Sequence, residues 1–313
     1  LYFGGGTPSR LGGDGLACAV DALRERISLA PHAEVTVEAN PEDVTASAAR
    51  SWMSAGVNRI SIGAQSFDDR VLMWMRRSHT AEATCRAVDA ARAAGFDNLS
   101  LDLIFAMPPE LNRDWAQDLD TALQLAPDHM SVYGLTSHPE TPFGKWVGRG
   151  QTKEASEDAY VDEFQYADDV ATAAGFEHYE VSNYARPGRR SRHNSSYWSG
   201  SAYAGLGPAA HEYDGARRRW NVPYPEWRRR LAQGIDPLDQ METLTSENEI
   251  AERVYLELRT ADGTVLKEGE EQALGRWREM GWAEIAGERL TLTPRGWLLL
   301  DGLAATLTDI RSR

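Results

Sequence analysis

The sequence predicts an α/β fold, a partial (β/α) barrel of the TIM type followed by a small winged-helix-like α+β module. Three observations carry this. Strand-like and helix-like stretches alternate through the first 185 residues, as repeated βα units around a parallel sheet require. Distinctive polar residues recur at the end of strand after strand, which favours a barrel mouth over the alternative, a doubly wound sheet. From Asp236 the order changes to helix, helix, hairpin, helix.

Taken in order, Leu1–Phe3 reads as a strand that runs into Gly4-Gly5-Gly6-Thr7-Pro8. Leu16, Val20, Leu23 and Ile27 recur at helical spacing, so 16–27 reads as a helix. Glu34–Glu38 alternates as a strand and stops at Asn40-Pro41; Asp43 or Thr45 caps a helix that ends near Gly56. A strand at Arg59–Ile62 precedes helices at 70–75 and 81–94 and a strand at Leu99–Phe105. A helix over 113–125, a strand over His129–Leu135, a helix over 154–174 and a strand over His178–Ser182 complete six β-units. Pro187 to Pro225 is rich in Gly, Ser, Tyr and Arg without periodicity and reads as irregular; long irregular segments in compact proteins are usually functional or disordered. Helices at 247–258 and 270–280, a hairpin over 283–292 turning at Ala286-Gly287-Glu288, and a helix from Pro294 close the chain. The expected division is 1–185 for the barrel, 186–235 for an Arg-rich loop segment, and 236–313 for the winged-helix-like module.

Composition bounds the function. The chain has 313 residues, 42% hydrophobic and 26% charged, with a net charge of −14 that opposes general nucleic-acid binding. No apolar run is long enough to span a bilayer and no secretory leader is visible, so a cytoplasmic place is expected. Cys18 and Cys85 are the only cysteines, which excludes a disulfide framework or a complete cysteine metal site within these residues. Both read as small buried apolar residues. Against the acidic average, Arg186–Arg230 holds ten arginines and three acids, a local +7 suited to an anionic partner or to a solvated charged surface. The last module carries nine Lys+Arg against sixteen acids, the wrong sign for phosphate binding, so it reads as a packing or interaction module.

The strand ends supply the candidate site: Gly4-Gly5-Gly6-Thr7 after the first, then Glu38, Gly63 with Gln65, Asp102 and Thr136. A glycine run lets backbone N–H groups approach a ligand closely, two carboxylates and an amide suit hydroxyls or an ammonium, and Arg77 supplies a fork for a carboxylate. Together they describe a site for a zwitterionic amino acid carrying a ribose. Singly, each has a structural reading, Gly4-Gly5-Gly6 as a turn and Asp102 as a satisfied strand-end acid.

Tyr2-Phe3-Gly4-Gly5-Gly6-Thr7-Pro8-Ser9, Val37-Glu38-Ala39-Asn40-Pro41, Ile60–Phe67, Leu101-Asp102-Leu103-Ile104-Phe105 and His193-Asn194-Ser195-Ser196-Tyr197-Trp198 resemble motifs of one family. It is the radical S-adenosylmethionine (radical SAM) family of oxygen-independent coproporphyrinogen III oxidases and their relatives, and the resemblance covers essentially the whole chain. The His-Asn-x-x-Tyr-Trp pattern resembles the HemW-type haem chaperones within it rather than the oxidases. The resemblance implies a partial barrel with S-adenosylmethionine and a [4Fe–4S] cluster at its mouth. It carries over Gly5, Gly6, Thr7, Glu38, Gln65, Arg77, Asp102 and, less specifically, Thr136 as contacts of S-adenosylmethionine. The CxxxCxxC motif that holds the family's cluster is absent, and its place in the family is upstream of the Gly-rich motif. The cluster ligands are therefore expected before Leu1, in a chain entered midway through its first domain.

The resemblance also makes haem the expected anionic partner. Arginines pair propionates, a histidine ligates iron and aromatics stack on the ring, with His193, Asn194, Tyr197 and Trp198 as candidates; His211 is a weaker one. The plainer reading, that Tyr197 and Trp198 pack the segment while His193 and Asn194 satisfy loop backbone, stands beside it. The implied function is haem binding and delivery to acceptor proteins, with peripheral membrane association allowed. The alternatives are oxidative decarboxylation of coproporphyrinogen III and an unrelated barrel enzyme acting on phosphate-like substrates. No catalytic residue and no metal ligand is assigned within these residues.

Overall fold

Thr36-Val37-Glu38-Ala39 alternates polar with apolar side chains, and 59–65, 99–105 and 129–134 keep nearly the same two-residue period. In a computed structural model of the chain, which describes residues 1–312, these stretches are neighbouring parallel strands. The chain forms two compact units, Leu1–His193 and the residues from Asn194 on.

The first unit contains β1 (Tyr2–Phe3), α1 (Gly12–Arg24), β2 (Thr36–Ala39), α2 (Ala46–Ser54), β3 (Arg59–Gln65), α3 (Asp69–Trp74) and α4 (Ala81–Ala94). There follow β4 (Leu99–Phe105), α5 (Trp115–Gln124), β5 (His129–Gly134), α6 (Pro142–Gly148), α7 (Glu157–Ala173), β6 (Glu177–Glu180) and β7 (Asn183–Ala185). The division between the units falls inside α8 (Arg192–Trp198). The sheet runs β1-β2-β3-β4-β5-β7-β6, and β1 to β5 are parallel. It does not close among the described residues, so the partial barrel is the architecture. Val37, Ile60, Ile62, Leu99, Leu101 and Leu103 are buried with Leu16 and Val20 of α1, Trp52 of α2 and Ala87 and Ala91 of α4. The alternate positions, Thr36, Arg59, Ser61, Ser100, His129 and Ser131, are also buried, so the other sheet face is polar and enclosed.

Several expectations shift. The last β-unit is not a sixth parallel strand: β6 turns at Val181-Ser182 into β7, which lies antiparallel between β5 and β6. A two-residue turn cannot return a strand in parallel. Helix α1 begins at Gly12, before Leu16, because Gly13 meets α2 where a side chain cannot fit: a Cβ there would stand 2.5 Å from Ser51 Cβ. Thr45, not Asp43, caps α2, accepting from Ala48 N–H at 3.1 Å; Asp43 accepts from Ser9 Oγ at 2.7 Å. Cys18 is exposed and Cys85 half-buried, not core residues. Leu16 and Val20 own the buried stripe of α1, and Cys18, midway between them in sequence, falls on the opposite side.

In the second unit, β8 (His211–Tyr213), β9 (Arg217–Asn221), α9 (Tyr224–Ala232) and β10 (Leu238–Thr243) come first, with an antiparallel sheet ordered β10-β9-β8. The stretch read as irregular thus holds helix and strand. Three consecutive arginines mask β9 as a strand, since their charged heads leave for partners: Arg218 for Glu252, Arg219 for Glu212 and Asp236. Next come α10 (Ser246–Leu258), β11 (Thr264–Val265), α11 (Glu270–Glu279), β12 (Ala283–Ala286), β13 (Arg289–Leu292), α12 (Pro294–Trp297) and α13 (Leu300–Arg311). The expected helix, helix, hairpin, helix order is present, with β11 added to the hairpin as a third strand. Leu258, Leu274, Leu290, Trp297 and Leu307 form its core.

Candidate functional site

The ends of β1 to β4 build an open cavity of about 220 Å³. Gly6, Thr7, Glu38, Gln65, Arg77 and Asp102 line it, together with Ser61, Gly63 and Asn40. Six of the eight residues expected to contact S-adenosylmethionine therefore meet around one space. Gly5 stands behind the lining, its N–H donating to Glu38 Oε2 at 2.9 Å. Thr136 is exposed beyond the end of β5 and is not part of the lining.

Local geometry sets each group. Gly5 and Gly6 take φ of +77° and +66°, a left-handed turn that a side chain would strain. Between Ile62 and Gln65, β3 carries one residue more than β4 opposite it, a bulge that re-aims the strand end. Gln65 itself sits at φ +66°, a strained conformation for a residue with a side chain. Two neighbours hold it there. Asp118 accepts from Ser66 Oγ and Phe67 N–H, each at 2.7 Å, and buried His79 reaches Ala64 O at 3.2 Å. Gly63 leaves the room Gln65 needs, since a Cβ at 63 would lie 2.7 Å from Gln65 Nε2. Arg77 forms no ion pair with a carboxylate among the described residues, so a guanidinium lines the cavity with its fork uncommitted.

Asp102 accepts from Ser61 Oγ at 3.0 Å, and burial pushes its carboxyl up to about 6 against the opposing bonds from Ser131 and Ser61. Below it, Ser100 Oγ meets His129 Nδ1 and His129 Nε2 meets the Tyr179 hydroxyl, both at 2.8 Å. Burial holds His129 well below the usual histidine range, hence neutral. Arg59, 2% exposed, lies on this same polar face. Tyr2 and Ser61 stand inside the quoted motifs without an assigned role, and Arg59 and His129 stand outside them. The alternation in Arg59-Ile60-Ser61-Ile62 and His129-Met130-Ser131-Val132 is the signal that marks them, because the polar members share one sheet face.

The four haem candidates all lie on α8. His193 stacks on Tyr2 with ring centroids 4.1 Å apart, and burial holds its imidazole down to about 4. Tyr197 meets Tyr203 edge-on at 4.6 Å, and Trp198 lies under the Arg259 guanidinium at 4.5 Å. Asn194 is half-buried. Arginines of the basic island are largely spent within the fold: Arg189 pairs with Asp97 and Asp128, Arg190 with Glu177, Arg229 and Arg230 with Glu226. The second unit has its own cavity of about 390 Å³, where Trp198 and Tyr213 face Glu249, Glu252, Glu257 and Arg253, an acidic wall unsuited to propionates. Among the described residues no cluster of His, Cys, Asp or Glu could hold a metal ion, and no helix is long and apolar enough to cross a membrane.

The model of the radical SAM superfamily matches residues 1–122. The haem chaperone HemW of Mycobacterium tuberculosis (strain H37Rv) is 38% identical over 311 residues, which is 98% of this chain and 80% of that protein. HemW of Escherichia coli (strain K12) is 39% identical over 211 residues, 67% of this chain and 55% of that one. Among solved structures, the coproporphyrinogen III oxidase of Escherichia coli, a radical SAM enzyme, shares the fold with a TM-score of 0.78 at 21% identity, covering 97% of this chain and 76% of that one.

Proposed function

From the premise that the chain belongs to the HemW family of radical SAM proteins, we propose that it binds S-adenosylmethionine at the mouth of its barrel and carries haem to acceptor proteins. The observation that carries the first half is the cavity itself, in which the Arg77 guanidinium, the Glu38 and Asp102 carboxylates, the Gln65 amide and the Gly-rich turn meet. Arg77 takes the methionine carboxylate; Glu38, Gln65 and Asp102 take the amino group and ribose hydroxyls; the Gly-rich turn admits the ligand close to the backbone. Glu38 keeps acceptor capacity beyond its two internal bonds, since a carboxylate offers about four lone-pair sites. When bound beside a reduced [4Fe–4S] cluster, S-adenosylmethionine supplies the family's radical chemistry. Cys18 and Cys85 stand on separate helices away from the cavity, so the described residues contain no ligand set for that cluster.

For haem, the support is α8 and the similarity of the whole chain to HemW. His193 is held neutral at physiological pH, the form in which imidazole donates its lone pair to iron. The arginine pairings above weaken the propionate argument, so iron ligation and aromatic stacking carry more of the reading than charge. A haem titration of the full-length, cluster-loaded protein tests it. The expected result is a shifted haem absorption band and loss of the haem to an added apo-haem protein. Decarboxylation of coproporphyrinogen III without haem binding would overturn it in favour of the oxidase.

A further inference from the structure

Glu38 is held from behind. The Tyr2 hydroxyl donates to Glu38 Oε1 at 2.5 Å while Gly5 N–H donates to Oε2 at 2.9 Å, so one carboxylate ties β1 to the Gly-rich turn. Strand β1 pairs with β2 through Tyr2 with Thr36 and Phe3 with Val37, so the Tyr2 side chain lies one strand away from Glu38. The Tyr2 ring has little freedom on either side. A Cβ on Gly4 would collide with it, and on another side the His193 imidazole lies flat against it, 8° from parallel. His193 is itself anchored to the barrel by backbone: the Glu34 carboxylate accepts Arg192 N–H at 3.0 Å and His193 N–H at 3.1 Å, and Arg192 donates to His32 O at 2.9 Å.

We propose that His193 is a positioning residue for the cofactor cavity: its ring backs Tyr2, Tyr2 holds Glu38, and Glu38 fixes the Gly-rich turn and presents its carboxylate to a cationic amino group of the ligand. This rests on the assignment of the cavity to S-adenosylmethionine. The histidine that the sequence offers as a haem candidate thus has a task at the other ligand's site.

The test is the affinity for S-adenosylmethionine, by calorimetry, of the natural full-length protein with its cluster in place. The variants are His193→Ala, His193→Phe, Tyr2→Phe and the Tyr2→Phe/His193→Ala pair, with melting temperatures taken in parallel. His193→Ala is expected to weaken binding roughly five- to tenfold, within the range of couplings between residues in contact. His193→Phe, which restores a flat ring, is expected to recover most of the loss. In the Tyr2→Phe background, where Glu38 is already released, His193→Ala is expected to cost nothing further. Unchanged affinity in His193→Ala, no rescue by Phe, or losses that simply multiply in the double variant would each overturn the inference while leaving the function standing. A wild-type protein that fails to bind S-adenosylmethionine would overturn the cavity assignment and the inference with it.

Discussion

Arg77 and Asp102 carry opposite charge at the same cavity and make separable predictions. Arg77 makes no ion pair among the described residues, so Arg77→Ala should leave the melting temperature nearly unchanged. It should weaken S-adenosylmethionine binding roughly ten- to a hundredfold, the worth of a charge-assisted hydrogen bond; equal affinity by calorimetry would reject the carboxylate assignment. Asp102 is costly in the empty protein. Its folded value of about 6 exceeds the ordinary 3.8, so the folded state keeps a proton that the unfolded chain has released, and this group lowers stability as pH rises from 4 to 6. His193 works the other way over nearly the same interval. Its folded value of about 4 lies below the ordinary 6.5, so its contribution grows as pH rises and is complete above 6.5. The two slopes offset each other. Asp102→Asn should therefore steepen the rise in stability between pH 4 and 6 and stabilise the ligand-free protein at pH 8 by about 3 kcal/mol at most. Urea unfolding across that pH range measures it, and an unchanged profile would show that Asp102 is solvated. Residue identity at this site was legible in the sequence; protonation was not, because it depends on Ser61, Ser131 and the burial that neighbouring strands impose.

At the scale of elements, the strained end of β3 depends on helices remote in sequence. Asp118 of α5 holds Ser66 and Phe67, and Arg113 ties Asp118 at 3.2 Å to Glu163 of α7 at 2.7 Å, with the guanidinium side chain 1% exposed. Arg113→Ala strands two carboxylates and should destabilise the protein by about 3–5 kcal/mol, read by urea unfolding. It should also lower S-adenosylmethionine affinity, because Gln65 loses the brace that keeps it at positive φ; stability lost without any loss of affinity would show that the brace ends at Asp118. The strands themselves were readable because their two-residue period is a local property. Helix α1 was misplaced by four residues because its glycines look like a loop until α2 is seen to pass close above Gly13. The hairpin β6–β7 was hidden for a related reason: the strands have four and three residues, and only pairing with β5 reveals that the second runs backwards.

For the molecule as a whole, the basic island changes meaning once its partners are known. A local +7 suggested an open anion-binding surface, but Arg189, Arg190, Arg218, Arg219, Arg229 and Arg230 are ion-paired with acids near and far in the chain. With the net charge of −14 left to dominate, the protein should pass a heparin column unretained at about 50 mM salt and neutral pH; retention would mean that unpaired arginines form a basic face after all. The two compact units adjoin at His193 and Asn194, inside the motif helix. What the sequence by itself determined was the alternation of strand and helix, the barrel class and the strand-end residues, since each is written in local period or in short motifs. Only the tertiary structure decided which charges are spent inside the fold, that Thr136 stays out of the cavity, and that His193 lies against Tyr2. Those outcomes depend on side chains up to 191 positions apart meeting in space, and no local pattern encodes such a meeting.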